Sequence, residues 1–283
     1  MHFYYGSINA YAPMHVRALT YNIHWGVGTD GVYSLSRIAQ VIRSCHADIV
    51  AMQEVHEHTS KHPESQTQEL ARLCSMPYFR FEPTVVGHPH GLTNDQIGFY
   101  GNAVLSRWPL QEMASTMFDA PGYSRSQEPR GAMACVVKAP VPFVVANTHL
   151  GCDITGYEQS AAVPQLLHFL HTSYSHHSNI VLCGDFNACA QRECVQNVRS
   201  QGWTDAWLDA AAKKGCTYLE GCTMPTYLPL TRIDYIFVKG SWQVQDAVTT
   251  PPPSVTDAVD AVPPAPSVTV ASDHFPVLAI LVL

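Results

Sequence analysis

Six apolar runs of strand length in this chain stop at, or beside, a polar side chain suited to acid–base or ligand chemistry. Asn22 lies near the end of Val16 to Ile23, and Glu54 follows Asp48 to Gln53. His149 lies at the far end of Phe143 to Leu150, and Asp185 follows Ile180 to Gly184. Asp234 sits near the start of Arg232 to Val238, and Asp273 with His274 precedes Phe275 to Leu283. In a sheet-based domain the ends of such strands gather along one rim. The pattern therefore predicts a large sheet-containing domain with one polar rim.

Helical spacing separates several of these runs. Leu35, Ile38, Ala39, Val41 and Ile42 recur at helical intervals between the first two strands, the α/β pattern. Ser65 with Gln68 reads as a capping box opening a helix that carries Leu70, Leu73 and Met76. Pro77, Pro83 and Pro89 break up the stretch that follows. Glu158 to Tyr174 is helical in pattern, with Pro164 in its first turn or kinking it. Cys189 to Gln201 is a further helix, and Trp203, Ala206, Trp207 and Leu208 are core candidates. Thr249 to Val270, rich in Pro, Ala, Val and Thr, is expected to be an irregular loop or insertion. With 46% hydrophobic residues the chain can bury a sizeable core, and residues 1–283 are expected to form one domain.

Charge and cysteines narrow the function. Acidic residues exceed basic ones by 23 to 16, and no Lys/Arg run occurs, so a broad grip on duplex nucleic acid is not favoured. No apolar run is long enough to span a membrane, and no basic start precedes an apolar block as in a secretory signal. Nine cysteines without a C-x-x-C pair fit a reducing, cytoplasmic setting and no structural zinc. Most of the fifteen histidines, which include the loose clusters His56, His58, His62 and His176, His177, are expected to be solvated loop residues.

The stretch Ile180 to Ala188 (IVLCGDFNA) shows the chemistry in miniature. If strand geometry persists, Asp185 and Asn187 share a face and Phe186 points away. A carboxylate and an amide side by side can hold a metal-bound or attacking water. An Asx-type turn is the plainer alternative. Taken with the other strand ends, the set suits metal-assisted hydrolysis of a phosphate ester. Glu54, with Asn22 or the aspartates, can hold a hard cation through oxygen. His149 and His274 can act as acid and base or neutralise developing charge. Asp234 can orient a histidine, and Arg130 or Asn102 can bind phosphate oxygens.

The stretches TYNIHWG, DIVAMQE, YGNAVLS, EPRGA, NTHLG, GDFNA, RIDYIFV and SDHFPV, in this order, resemble the endonuclease/exonuclease/phosphatase superfamily of metal-dependent phosphohydrolases. The resemblance implies a four-layer α/β sandwich of two mixed β-sheets flanked by helices, the DNase I-like fold. It implies Mg²⁺, with Mn²⁺ as a substitute, held chiefly by Glu54 with Asn22 and Asp273 close by. It places Asp185 and Asn187 on the attacking water or the phosphate. It sets His149 and the His274–Asp234 pair, with His274 taken as the base, around the scissile phosphate. Arg130 matches a phosphate-contacting arginine of some branches. The histidine of NTHL, His149, tilts away from the abasic-site endonucleases. The expected substrate is a phosphodiester, with a phosphomonoester left open, and the charge favours one that is small or lipid-borne. A nuclease is the alternative, and a non-catalytic binding protein on the same fold is the remote one.

Overall fold

In the computed structural model the described residues are 12–86, 97–120, 128–214, 221–226, 230–249 and 271–283. They form two six-stranded sheets packed face to face, with helices outside. The first sheet runs in the order β11 (Gln243–Thr249), β12 (Val277–Val282), β1 (His15–Asn22), β2 (Ile49–Glu57), β4 (Phe99–Ser106), β3 (Tyr78–Val86). The second runs β5 (Leu110–Met117), β6 (Gly131–Val137), β7 (Phe143–His149), β8 (Ile180–Asp185), β10 (Asp234–Lys239), β9 (Thr204–Asp205). Each sheet has one parallel pair at its centre, β1 with β2 and β7 with β8, and antiparallel pairs elsewhere. A helix makes each parallel crossover possible: α1 (Leu35–Ser44) joins β1 to β2, and α3 (Tyr157–Ser173) joins β7 to β8.

Side-chain alternation builds three apolar layers. Leu19, Tyr21, Val50 and Met52 face α1 and α2 (Gln66–Leu73), while Val144, Ala146, Leu182 and Phe237 face α3 and α4 (Glu193–Ser200). Val16, Ala18, Ile49, Ala51, Val145, Val181, Cys183, Ile236 and Val238 meet between the sheets. The short α5 (Ala206–Lys214) closes that middle layer with Ala206, Trp207, Ala210 and Ala211. The four-layer expectation holds. Among the described residues, no helix is long and apolar enough to cross a membrane.

The inner faces explain where the polar groups collect. Val16 and Ala18 on β1 are followed at the same spacing by Thr20 and Asn22, and Ile49 and Ala51 on β2 by Gln53. Val145 is followed by Asn147 and His149, and Val181 and Cys183 by Asp185. Asp234 and Asn102 take the corresponding places on β10 and β4. Each series is apolar within the slot between the sheets and polar at one shared end.

Local expectations meet different outcomes. Pro83 does not prevent β3, because it lies at a register shift on an edge strand where a missing N–H is tolerated. Pro164 lies inside α3, past its first turn. His56 and His62 are buried in a stack with Trp25, Tyr33 and Tyr100, whereas His58 is exposed as expected. Thr249 ends β11, and the rest of the segment expected to be an irregular insertion, 250–270, lies outside the described residues.

Candidate active site

Asp185 occupies the centre of the polar mouth. Its Oδ2 accepts from Asn22 Nδ2 at 3.0 Å and lies 3.6 Å from His149 Nε2 and 3.7 Å from His274 Nε2. These contacts join the carboxyl ends of β1, β7 and β8 to the turn before β12. Close approach of β7 and β8 depends on glycine at 184, where a Cβ would fall 2.3 Å from the Thr148 carbonyl oxygen. The strand stops at Asp185, and Asn187 adopts a left-handed φ of 47°. The Asn187 N–H donates to Asp185 Oδ1 at 2.8 Å, so the Asx-turn alternative is the one realised. Even so, the turn brings Asn187 Nδ2 to 3.1 Å from His149 Nε2 and 3.0 Å from the Leu150 carbonyl.

Asn22 bridges two carboxylates. Its Nδ2 donates to Glu54 Oε1 and to Asp185 Oδ2, both at 3.0 Å, while its Oδ1 accepts from the His24 N–H. On the facing side, Arg130 Nη1 lies 2.8 Å from His149 Nδ1 and 2.8 Å from Glu128 Oε1. A guanidinium only donates, so Nδ1 of His149 accepts and its proton sits on Nε2, toward Asp185. The Asn187 amide then donates to Leu150 and not to this nitrogen. Asn102 donates to the Gly131 carbonyl at 3.4 Å, beside Arg130. His274 Nδ1 lies 2.9 Å from Asp234 Oδ2, which fixes its proton on that side and turns Nε2 to the mouth. Ser272 Oγ donates to the Asn22 carbonyl at 2.8 Å and accepts the His274 N–H, tying the two halves of the mouth.

Burial decides the charge states. For His149, desolvation with the neighbouring Arg130 and His274 holds the pKa well below the usual histidine range, so the ring is neutral. Burial also opposes charge on His274, but the carboxylates of Asp234 and Asp185 outweigh it and push the pKa up to about 10. Asp185 is pushed up to about 7 by burial and by Asp234, against the pull of His274 and Asn22. The mouth thus holds more carboxylate than its cations balance.

The model of the endonuclease/exonuclease/phosphatase family matches residues 19–274. The chain belongs to that family. An uncharacterized Escherichia coli protein, YbhP, is 25% identical over 235 residues, covering 80% of this chain and 85% of its own length. An endonuclease/exonuclease/phosphatase from Beutenbergia cavernae superposes with a TM-score of 0.77 at 24% identity, over 95% of this chain and 72% of the other. A mannosyl-6-phosphatase from Bacteroides thetaiotaomicron superposes with a TM-score of 0.70 at 19% identity, over 95% of this chain and 100% of the other.

Asp185, Asp234 and His274 carry ligand atoms within 4.8 Å of one another, a cluster that can hold a divalent cation. Family and cluster together make this member of the endonuclease/exonuclease/phosphatase family a metal-dependent phosphoesterase. The donor set fits a hard cation: buried carboxylates in excess, and an Asp234 Oδ1 buried without a hydrogen-bond partner. Glu54 and Asp273 lie outside that three-residue cluster. Glu54 is linked to it through Asn22, and Asp273 lies at the rim, with Oδ1 3.9 Å from His24 Nδ1. Several residues that support the site stand in the matching stretches without a role read from sequence: Glu128 in EPRGA, Gln53 in DIVAMQE and Asn147 in NTHLG. Ser272 stands in a matching motif, SDHFPV, but nothing near it in sequence reveals its bond to the Asn22 carbonyl.

Proposed function

We propose that the chain hydrolyses a phosphodiester carrying a single scissile phosphate, small or lipid-borne, with Mg²⁺ as cofactor and Mn²⁺ as a substitute. The observation that carries this reading is the meeting at Asp185 of Glu54 (through Asn22), His149 and His274, with Arg130 behind His149. Glu54 supplies carboxylate oxygen to the cation, with Asp273 at the rim, and Asp185 stands beside Glu54 across Asn22. Asn22, whose oxygen is engaged by the His24 N–H, spaces the two carboxylates. The cation supplies charge neutralisation at the phosphoryl oxygens.

The remaining groups divide the proton work. His274, protonated near neutral pH and oriented by Asp234, donates from Nε2 toward the phosphate; the base role expected from sequence passes to Asp185. Neutral His149 presents an Nε2–H donor, and Asn187 positions the water or the phosphate at the same corner. Arg130, beside His149, and Asn102, beside Gly131, are assigned the phosphate oxygens. A singly charged diester suits this mouth better than a dianionic monoester or a polyanion, because among the described residues Glu54, Asp185, Asp234, Asp273 and Glu128 outnumber the side-chain cations Arg130 and His274, leaving the bound cation to offset the rest.

The test is hydrolysis, with Mg²⁺ and with EDTA, of bis-p-nitrophenyl phosphate, sphingomyelin, p-nitrophenyl phosphate, mannose 6-phosphate and plasmid DNA. Mannose 6-phosphate is included because of the structurally similar Bacteroides enzyme. Diester turnover above monoester and DNA turnover supports the proposal. Preference for a monoester or for DNA overturns the substrate assignment.

A further inference from the structure

Glu54 is not at a strand end. β2 continues to Glu57, and Glu54 sits within it at a bulge, between the register pairs Met52–Ala103 and Val55–Gly101. Gln53 and Glu54 together oppose the single residue Asn102. The φ of Glu54, 59°, is left-handed, a conformation that side chains of this size rarely adopt and that persists only where surrounding structure imposes it.

The surrounding structure is Asn147, from the opposite sheet. Its Nδ2 donates to the Met52 carbonyl at 2.8 Å and to the Ala103 carbonyl at 2.9 Å, one on each strand at the last register pair before the shift. Its Oδ1 accepts from Gln53 Nε2 at 2.7 Å, and Gln53 Nε2 also reaches Thr20 Oγ1 on β1 at 3.1 Å. Asn147 is fully buried, and its amide is committed wholly to the two strands that form the bulge. It lies two residues before His149 on the same face of β7, so one strand supplies a site histidine and, one step deeper, the brace for a site carboxylate.

We infer that Asn147 is a positioning residue for Glu54: it clamps the bulge that holds this carboxylate beside Asn22 and so sets cation affinity without touching the cation. The inference rests on the proposal that Glu54 binds the cation. A buried asparagine that served only to satisfy carbonyls would affect folding and nothing else. Partners that orient a metal ligand change affinity by roughly 10- to 100-fold when removed.

The experiment measures Mn²⁺ affinity of the full chain by electron paramagnetic resonance of the free ion, alongside thermal unfolding. Asn147→Ala is expected to weaken Mn²⁺ binding at least about tenfold. Val145→Ala, on the same buried face of the same strand, is expected to lower the unfolding temperature and leave Mn²⁺ affinity unchanged. Should Asn147→Ala not fold, Asn147→Ser, which keeps one hydroxyl donor for the two carbonyls, carries the test with a smaller loss. Glu54→Gln is measured in parallel. Loss of affinity in Glu54→Gln with none in the folded Asn147 variant overturns the clamp alone. Unchanged affinity in Glu54→Gln overturns the cation assignment and the clamp with it. An equal loss in Val145→Ala makes Asn147 a packing residue and refutes the inference.

Discussion

Replacing Asp234 by Asn removes one charge from the mouth and almost no volume. The Asn oxygen can still accept from His274 Nδ1–H, so the tautomer is kept and only the electrostatics change. A unit charge 2.9 Å away is worth about 6 kcal/mol at an effective dielectric of about 20, or about four pKa units. His274, pushed up to about 10 in the parent, should therefore fall to about 6 in Asp234→Asn. The sign follows directly. In the parent, His274 is protonated through the neutral range, and the stability it contributes is present below its ordinary pKa and lost as pH rises through about 10. In the variant the ring is neutral by about pH 7 and that contribution is gone. The assay is kcat/KM for bis-p-nitrophenyl phosphate across roughly pH 5.5 to 10.5, with imidazole ring signals followed by NMR in the metal-free protein. The alkaline limb should move from near 10 to near 6, with turnover at about pH 8 down roughly 10²-fold or more. An alkaline limb that stays near 10 in the variant, or an unchanged rate at pH 8, refutes the reasoning about His274.

Four further outcomes are expected. EDTA should abolish activity and Mg²⁺ or Mn²⁺ restore it, while Glu54→Gln should raise the Mg²⁺ concentration required with little loss of thermal stability; full activity in EDTA would contradict the metal requirement. His149→Ala should lower turnover roughly 10²-fold, since a neutral donor facing the phosphate is lost, and an unaltered rate in a His149→Ala/His274→Ala double variant would remove both rings from the mechanism. Arg130→Met should cost roughly 3 kcal/mol in unfolding free energy because it strands Glu128, and adding Glu128→Met should recover stability in chemical denaturation without recovering activity. On duplex DNA, cleavage should be weak with a shallow salt dependence, since each phosphate contacted contributes a slope of about −0.9; a slope for many contacts with fast cleavage would make the enzyme a nuclease.

What the sequence discloses follows from which faces are buried. The interior strands are legible because both faces pack: β8 and β10 alternate between the helix layer and the slot, so both parities are apolar and the run is continuous. A polar residue in such a run stands out, which is why Asn22, His149, Asp185 and Asp234 can be picked from the chain before the fold is known. The edges behave differently. β3, β5, β9 and β11 are the four sheet edges, and β3, β5 and β11 mix exposed with covered positions, so none of the four offers an apolar run. Glu54 marks the deeper limit. Its place after DIVAMQ reads as a strand end, because nothing local distinguishes an end from a bulge in mid-strand. The bulge is imposed by an amide from the other sheet, contributed by β7. His56 and His62 illustrate the same dependence, since Glu57 and Lys61 beside them in sequence suggest a solvated segment, while the rings that cover them, Trp25, Tyr33 and Tyr100, come from elsewhere in the chain. Catalytic chemistry is thus readable where a polar group interrupts burial, while the aim of that group is set across the slot, by residues whose sequence neighbours say nothing about it.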